Sequence, residues 1–155
     1  MAPVPEKTKC YWYEVIHDLI PTRHRLHAIN LSSSDICAQC MQLDTIQHRL
    51  IQCGQAPAQW KWTQEILAII LRTSTNHILQ EWLQRPSFYF WPPKRQHAVL
   101  WIIAHYVQFR IQRETELTTQ DYFNFMQHTR WKLYQDKRRF EMVGNYLSVL
   151  DYPYR

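Results

Sequence analysis

Apolar side chains recur at helical spacing almost from the start of this chain. Tyr11, Trp12, Val15, Ile16, Leu19 and Ile20 fall at i, i+3, i+4 steps, which predicts a half-buried helix over Lys9–Ile20. Pro21 breaks it, and Thr22 can cap a second short helix through Leu26 and Ile29. A polar turn, Leu31–Asp35, leads into a cluster of Cys and His between Cys37 and Cys53, and Gly54 supplies a turn just after it. Pro57 suits the first turn of a helix carrying Trp60, Ile66, Leu67, Ile70 and Leu71. Residues 73–76 read as a loop and residues 78–83 as a short helix. Residues 86–93, rich in proline and aromatics, read as extended chain. Pro93 opens a strong helix from Lys94 to about Glu114, with Val99, Leu100, Ile103, Val107 and Ile111 on its face. Thr118, with Asp121 as a weak capping box, begins a last helix. Its stripe is Tyr122, Met126, Leu133, Phe140, Val143 and Leu147.

These elements predict a mainly α fold, a helical bundle with a small Cys/His segment embedded near its N-terminus. The expected divisions are a flexible tail at 1–8, short helices plus the Cys/His segment at 9–57, a helical domain at 58–150 and a tail at 151–155. Composition agrees. Apolar residues make up 46% of the 155 positions, enough for a packed core. Gly occurs only 2 times, which argues against hairpin-rich sandwiches and leaves no Gly-rich phosphate loop. Seven Trp and nine Tyr must pack or stack somewhere, and aromatics at such density are more often core than interface. Phe88-Tyr89-Phe90-Trp91 is a candidate docking strip all the same.

The net charge of +5 is unevenly spread. Residues 1–57 balance five basic against five acidic side chains, while residues 58–155 carry thirteen against eight. That surplus permits contact with a polyanion. The apolar runs Ile66–Leu71 and Ala98–Ala104 fall far short of the ~20 residues of a membrane span, and the N-terminus lacks the apolar core of a signal peptide. The expected compartment is intracellular and reducing, nuclear or cytoplasmic.

Chemistry concentrates in Cys37-Ala38-Gln39-Cys40, His48 and Cys53, a C-x2-C-x7-H-x4-C spacing. A Cys-x-x-Cys turn aims two thiolates at one point, and a later His and Cys can close the other corners of a tetrahedron. Cys37, Cys40, His48 and Cys53 therefore read as ligands of one structural Zn²⁺, with no corner left for water. The plainer alternative is a set of ordinary buried thiols. Cys10 reads as a small core residue rather than a fifth ligand, and His24 and His27 as surface or phosphate-facing groups. No nucleophile elbow and no usefully spaced carboxylate pair accompanies the site. Asp35 and Asp44 read as turn residues.

Three stretches together carry a resemblance: Ile20-Pro21-Thr22-Arg23-His24-Arg25-Leu26-His27, the Cys37/Cys40 pair, and Asp44-Thr45-Ile46-Gln47-His48-Arg49-Leu50-Ile51-Gln52-Cys53. They resemble the C-terminal CCHC zinc-knuckle region of non-LTR (LINE-type) retrotransposon reverse transcriptases. Trp60-Lys61-Trp62, Phe90-Trp91-Pro92-Pro93 and Ala98-Val99-Leu100-Trp101 are similar to the helical tail of such polyproteins. The resemblance implies zinc at Cys37, Cys40, His48 and Cys53, and template nucleic acid near Arg23 and Arg25. Neither a paired-Asp polymerase strand nor the endonuclease pattern occurs, so the chain is expected to be a detached, non-catalytic C-terminal part. RNA or single-stranded DNA is the expected partner, beside the polymerase core of the parent polyprotein, with no membrane and no small-molecule substrate. Candidate contacts are Arg23, Arg25 and Arg49, then Lys94, Arg95, Arg130, Lys132, Lys137, Arg138 and Arg139. The alternative is a zinc-stapled structural or protein-interaction domain.

Overall fold

A computed structural model describes residues 4–72, residue 83, 93–112 and 118–152, the side chains at 93, 94 and 144 excepted. Among the described residues the chain is helical, with no strand and one isolated antiparallel bridge, Ile36–Leu43. The elements are α1 (Glu6–Ile16), α2 (Arg23–Ala28), a π-helical turn (His48–Gln52), α3 (Ala56–Leu71), α4 (Pro93–Ile111), α5 (Thr119–Tyr134), α6 (Lys137–Val143) and a 3-10 helix (Gly144–Asp151). The readings of residues 73–76, 78–82 and 86–92, with the docking strip at 88–91, lie outside the described residues.

Helix α4 is the axis of the molecule. The amphipathic stripe expected on it is too narrow a description. Trp101, Ile102, Ile103, Ala104, His105, Tyr106, Val107, Gln108 and Phe109 are all buried, in addition to Val99. A helix apolar nearly all round must be covered on every side. Here α1, α3, α5, α6, the π turn and the 3-10 helix all pack on it. Its aromatic rings join those of α3 and α5. Trp60 lies 5.1 Å from Tyr106, Tyr106 meets Tyr122 edge-on at 5.6 Å, and Phe109 lies 5.4 Å from Phe125. Among the described residues most of the aromatic side chains lie in this core or against it. Tyr122 donates its hydroxyl proton to Thr63 Oγ1 at 2.7 Å, while Thr63 donates to the Gln59 carbonyl, so these buried hydroxyls are satisfied.

Three boundaries differ from the sequence reading. Helix α1 starts at Glu6, and the expected tail is partly built in. Val4 is buried, and Thr8 donates from α1 to Gln108 Oε1 of α4 at 2.6 Å. Second, the single stripe from Tyr122 to Leu147 runs through a break. Asp136 Oδ1 accepts the Arg139 N–H, which starts α6 as a separate helix, and the last turn tightens to 3-10. The stripe residues still reach the core, Phe140 at its edge. Third, one continuous core runs from Val4 through Ile46, Leu50 and Ile51 to Leu150, so packing does not divide at residue 57. The Thr22 cap and the Thr118–Asp121 capping box form as expected.

Candidate metal centre

The Cys/His segment hangs from α2 and closes onto the start of α3. At Cys37 the chain turns back on itself: Cys37 N–H donates to the Gln42 carbonyl at 2.7 Å and Met41 N–H to the Cys37 carbonyl at 3.0 Å. Met41 closes that turn in the left-handed region, at φ 60°, a conformation that costs a side-chain-bearing residue roughly 1–2 kcal/mol. Cys37 and Cys40 thereby face the same point.

The second pair comes from the π turn. In an α-helix, residues five apart lie on different faces. A hydrogen bond from Cys53 N–H to the His48 carbonyl, at 2.8 Å, widens the turn and brings H-x4-C onto one side. Thr45 Oγ1 accepts the His48 N–H at 3.0 Å and sets where the turn begins. Gly54, at φ 56°, then turns the chain into α3.

Together these put one donor atom of each of Cys37, Cys40, His48 and Cys53 within 4.8 Å of one another. Cys37 Sγ lies 3.7 Å and Cys40 Sγ 4.0 Å from Cys53 Sγ, and His48 Nε2 lies 2.9 Å from Cys40 Sγ. A tetrahedral Zn²⁺ with Zn–S of about 2.3 Å has S···S edges of about 3.8 Å. The sulfur spacings match that size, and three soft thiolates with one imidazole are a zinc donor set. The residues present therefore fit one structural Zn²⁺, held by Cys37, Cys40, His48 and Cys53 through Nε2 of the imidazole. His48 Nδ1 is buried and bonds no described residue, so packing orients the ring.

Electrostatics inside the cluster point the same way. Burial pushes the Cys37 thiol up, but backbone N–H groups of Cys40 and Gln39, with hydrogen bonds from His48 and Cys40, bring it down to about 6. Cys53 goes the other way, pushed up to about 12 by burial and by its neighbours Cys37 and Cys40. One thiolate forms easily and makes the next costly. A divalent cation removes that conflict.

Asp44, read from sequence as a turn residue, is the keystone of the segment. It is buried, accepts the Arg23 N–H at 2.8 Å and takes a bidentate pair from Arg49 at 3.0 and 2.9 Å. Burial pushes its carboxyl up, but the Arg49 and Arg23 hydrogen bonds outweigh this and hold it below the usual carboxylate range. Arg110 carried no sequence signal beyond being a cation on an apolar helix. It reaches from α4 to the Arg49 carbonyl at 2.9 Å, the Cys53 carbonyl at 3.2 Å and Gln59 Oε1 at 3.1 Å. Tyr106 adds a hydrogen bond from its hydroxyl to the Leu50 carbonyl. The metal segment is thus bolted to the central helix through its backbone oxygens.

The candidate nucleic-acid contacts do not form one surface. Arg23 and Arg25 stand exposed on α2, with Arg25 bonding the Asp18 carbonyl. Arg49 is committed to Asp44. Arg95 lines a groove with Ile69, Arg72 and Tyr146. Arg130 is paired with Asp151 at 2.8 Å. Lys132 and Arg139 line a separate cleft, and Lys137 and Arg138 are exposed on α6. The Lys94 side chain lies outside the described residues. Cys10 is exposed on α1, contrary to the core position expected of it: it lies between Lys9 and Tyr11, off the buried stripe of Thr8, Trp12 and Val15. His24 and His27 are exposed and outside the metal group, His27 bonding the Ser32 carbonyl at 3.1 Å. No helix among the described residues is long and apolar enough to cross a membrane.

Residues 1–60 match a family model described as zinc-binding in reverse transcriptase. The match covers the whole Cys/His segment and ends where α3 begins its second turn, so most of the helical body lies beyond it. No curated protein and no solved structure matches the chain.

Proposed function

We infer, from the match of residues 1–60 to a family described as zinc-binding in reverse transcriptase, that the chain is a nucleic-acid-binding CCHC knuckle module of the non-LTR retrotransposon type, acting beside a polymerase rather than as an enzyme. The observation that carries this is the exposed face around the metal segment. Asp44 consumes Arg49 and the Arg23 backbone but leaves the Arg23 and Arg25 side chains at the surface with His24 and His27. Just after α2, Ile29 and Leu31, and in the Cys/His turn Met41 and Leu43, are exposed apolar side chains, 55%, 72%, 75% and 43% accessible. Cations with adjoining apolar surface suit a single strand, whose phosphates and unstacked bases need both. Zinc acts here as a staple that holds the Arg-bearing helix against the turn.

Titration of the zinc-loaded chain with labelled single-stranded RNA and DNA across several salt concentrations tests this. Affinity falls as salt rises, and Arg23→Ala with Arg25→Ala weakens binding and flattens the salt slope by about two phosphates. Salt-independent binding, or none at low salt, refutes it. A second reading rests on α5, where Trp131 is 58% exposed and stacked on His128. In that reading the module docks on protein, and the same titration shows no strand binding.

A further inference from the structure

Away from the metal segment, α1 and α5 stand on either side of α4 and leave a cleft of about 450 Å³ between them. That volume falls within the roughly 300–1,000 Å³ of small-molecule sites. Its walls combine three chemistries. Phe125 supplies aromatic surface, with Trp101 buried beneath against the His105 ring at 4.1 Å; Lys7, Lys132 and Arg139 supply cations; His105, Gln108 and Thr8 supply a polar floor. The floor is buried and ordered. Thr8 bonds Gln108, whose amide bonds Gln112 at 3.1 Å. His105, 2% exposed, hydrogen-bonds the Trp101 carbonyl through Nδ1 at 2.7 Å. With the proton on Nδ1, Nε2 is an acceptor. No described residue bonds it, and the ring lines the cleft. Asp136, the one carboxylate among the described lining residues, pairs with Arg139 at 3.4 Å and leaves Lys7 and Lys132 as the cationic rim. His128 also lines the wall.

An acceptor at the bottom, a flat ring at the side and ammonium groups at the mouth fit a ligand with N–H donors, a planar ring and a phosphate. We propose that this cleft holds one nucleotide, its base against Phe125 with a donor on His105 Nε2, and its phosphate at Lys7 and Lys132. Drawing that nucleotide from a bound strand rests on the function inferred above. Burial keeps the His105 ring neutral, with its pKa lowered to about 4, so the acceptor persists at neutral pH.

The test uses the full zinc-loaded chain with two sets of probes: the four nucleoside monophosphates, and a single-stranded oligonucleotide. Ring ¹⁵N shifts of His105 and calorimetry report binding. Shifts at His105 with saturable binding support the site. His105→Phe, which keeps a ring packed on Trp101, and Lys132→Ala, an exposed change that leaves the fold intact, should each weaken it about tenfold. A monophosphate that binds while the oligonucleotide does not assigns the cleft to a free nucleotide and counts against the strand-binding function. An oligonucleotide that binds through α2, with His105 unshifted and both variants at wild-type affinity, overturns the cleft and leaves the strand-binding function standing. If His105→Phe fails to fold, Lys132→Ala and the His105 shifts still decide.

Discussion

The Cys/His segment and the α4 body are stabilised by different physics. Between Leu31 and Gly54 only Ile46, Leu50 and Ile51 join the core, and they do so by leaning on the helical body. The rest of the segment is held by directed interactions: four ligand atoms, the Asp44 carboxylate, the Thr45 hydroxyl and Arg110. Around α4 the opposite holds. Stability comes from undirected burial of rings and branched aliphatics, with few polar groups to satisfy. A directed network fails all at once when a member is lost, whereas a packed core loses stability in increments.

Removing the metal should separate the two regions most sharply. Cys53→Ser, or chelation, should abolish zinc stoichiometry and amide-exchange protection across residues 31–55. Protection in α4 and α5 should persist. Structural zinc sites contribute on the order of 10 kcal/mol to the segments they fold. If α4 loses protection equally, the body depends on the metal and the contrast fails.

Arg110→Met attacks the joint itself. It leaves the Arg49 and Cys53 carbonyls without their cationic donor, and should cost about 3 kcal/mol in denaturant unfolding. Zinc retention against a competing chelator should weaken about tenfold. Unchanged retention would mean the segment sets its own geometry without α4.

Acid should act on the body through His105. Its folded pKa, about 4, lies below the ordinary 6.5, so the unfolded chain binds the proton more readily. The stability that depends on a neutral ring is complete above pH 6.5 and drains away as pH falls toward 4. Urea unfolding between those limits should show a loss of roughly 3 kcal/mol that His105→Phe does not share, zinc release being common to both proteins. Parallel pH curves for the two would contradict it.

The smallest effect is local. Thr118→Ala removes one half of the capping box, where Thr118 Oγ1 accepts the Asp121 N–H at 3.1 Å, and should cost about 1 kcal/mol. It should leave zinc affinity unchanged, because the cap touches neither Arg110 nor the Cys/His segment.

Much of the fold was legible because its signals are local. Helical periodicity marked α1, α3, α4 and α5, and the caps at Thr22 and Thr118 follow from side chains that reach only three residues along the chain. Even the candidate ligand group was legible, because Cys37, Cys40, His48 and Cys53 lie within one short stretch and their chemistry is carried by residue type. The break at Asp136 was the exception. A cap inside a continuing apolar stripe can be read as one helix or two, and the packing of α6 and the 3-10 helix on α4 decides it.

What the residues alone determined, then, is which atoms can ligate and which faces must be buried, since both depend on side-chain chemistry and short-range spacing. Tertiary structure decided the rest, because it depends on contacts between distant positions. It turned α4 from a striped helix into a buried axis and built residues 4–8 of the expected tail into the core through Thr8 and Gln108, one hundred positions apart. It also widened H-x4-C into a π turn and gave Arg110 the carbonyls of Arg49 and Cys53 to hold. Each of these places a polar or apolar group against a partner that no local pattern names, and burial without that partner would be costly.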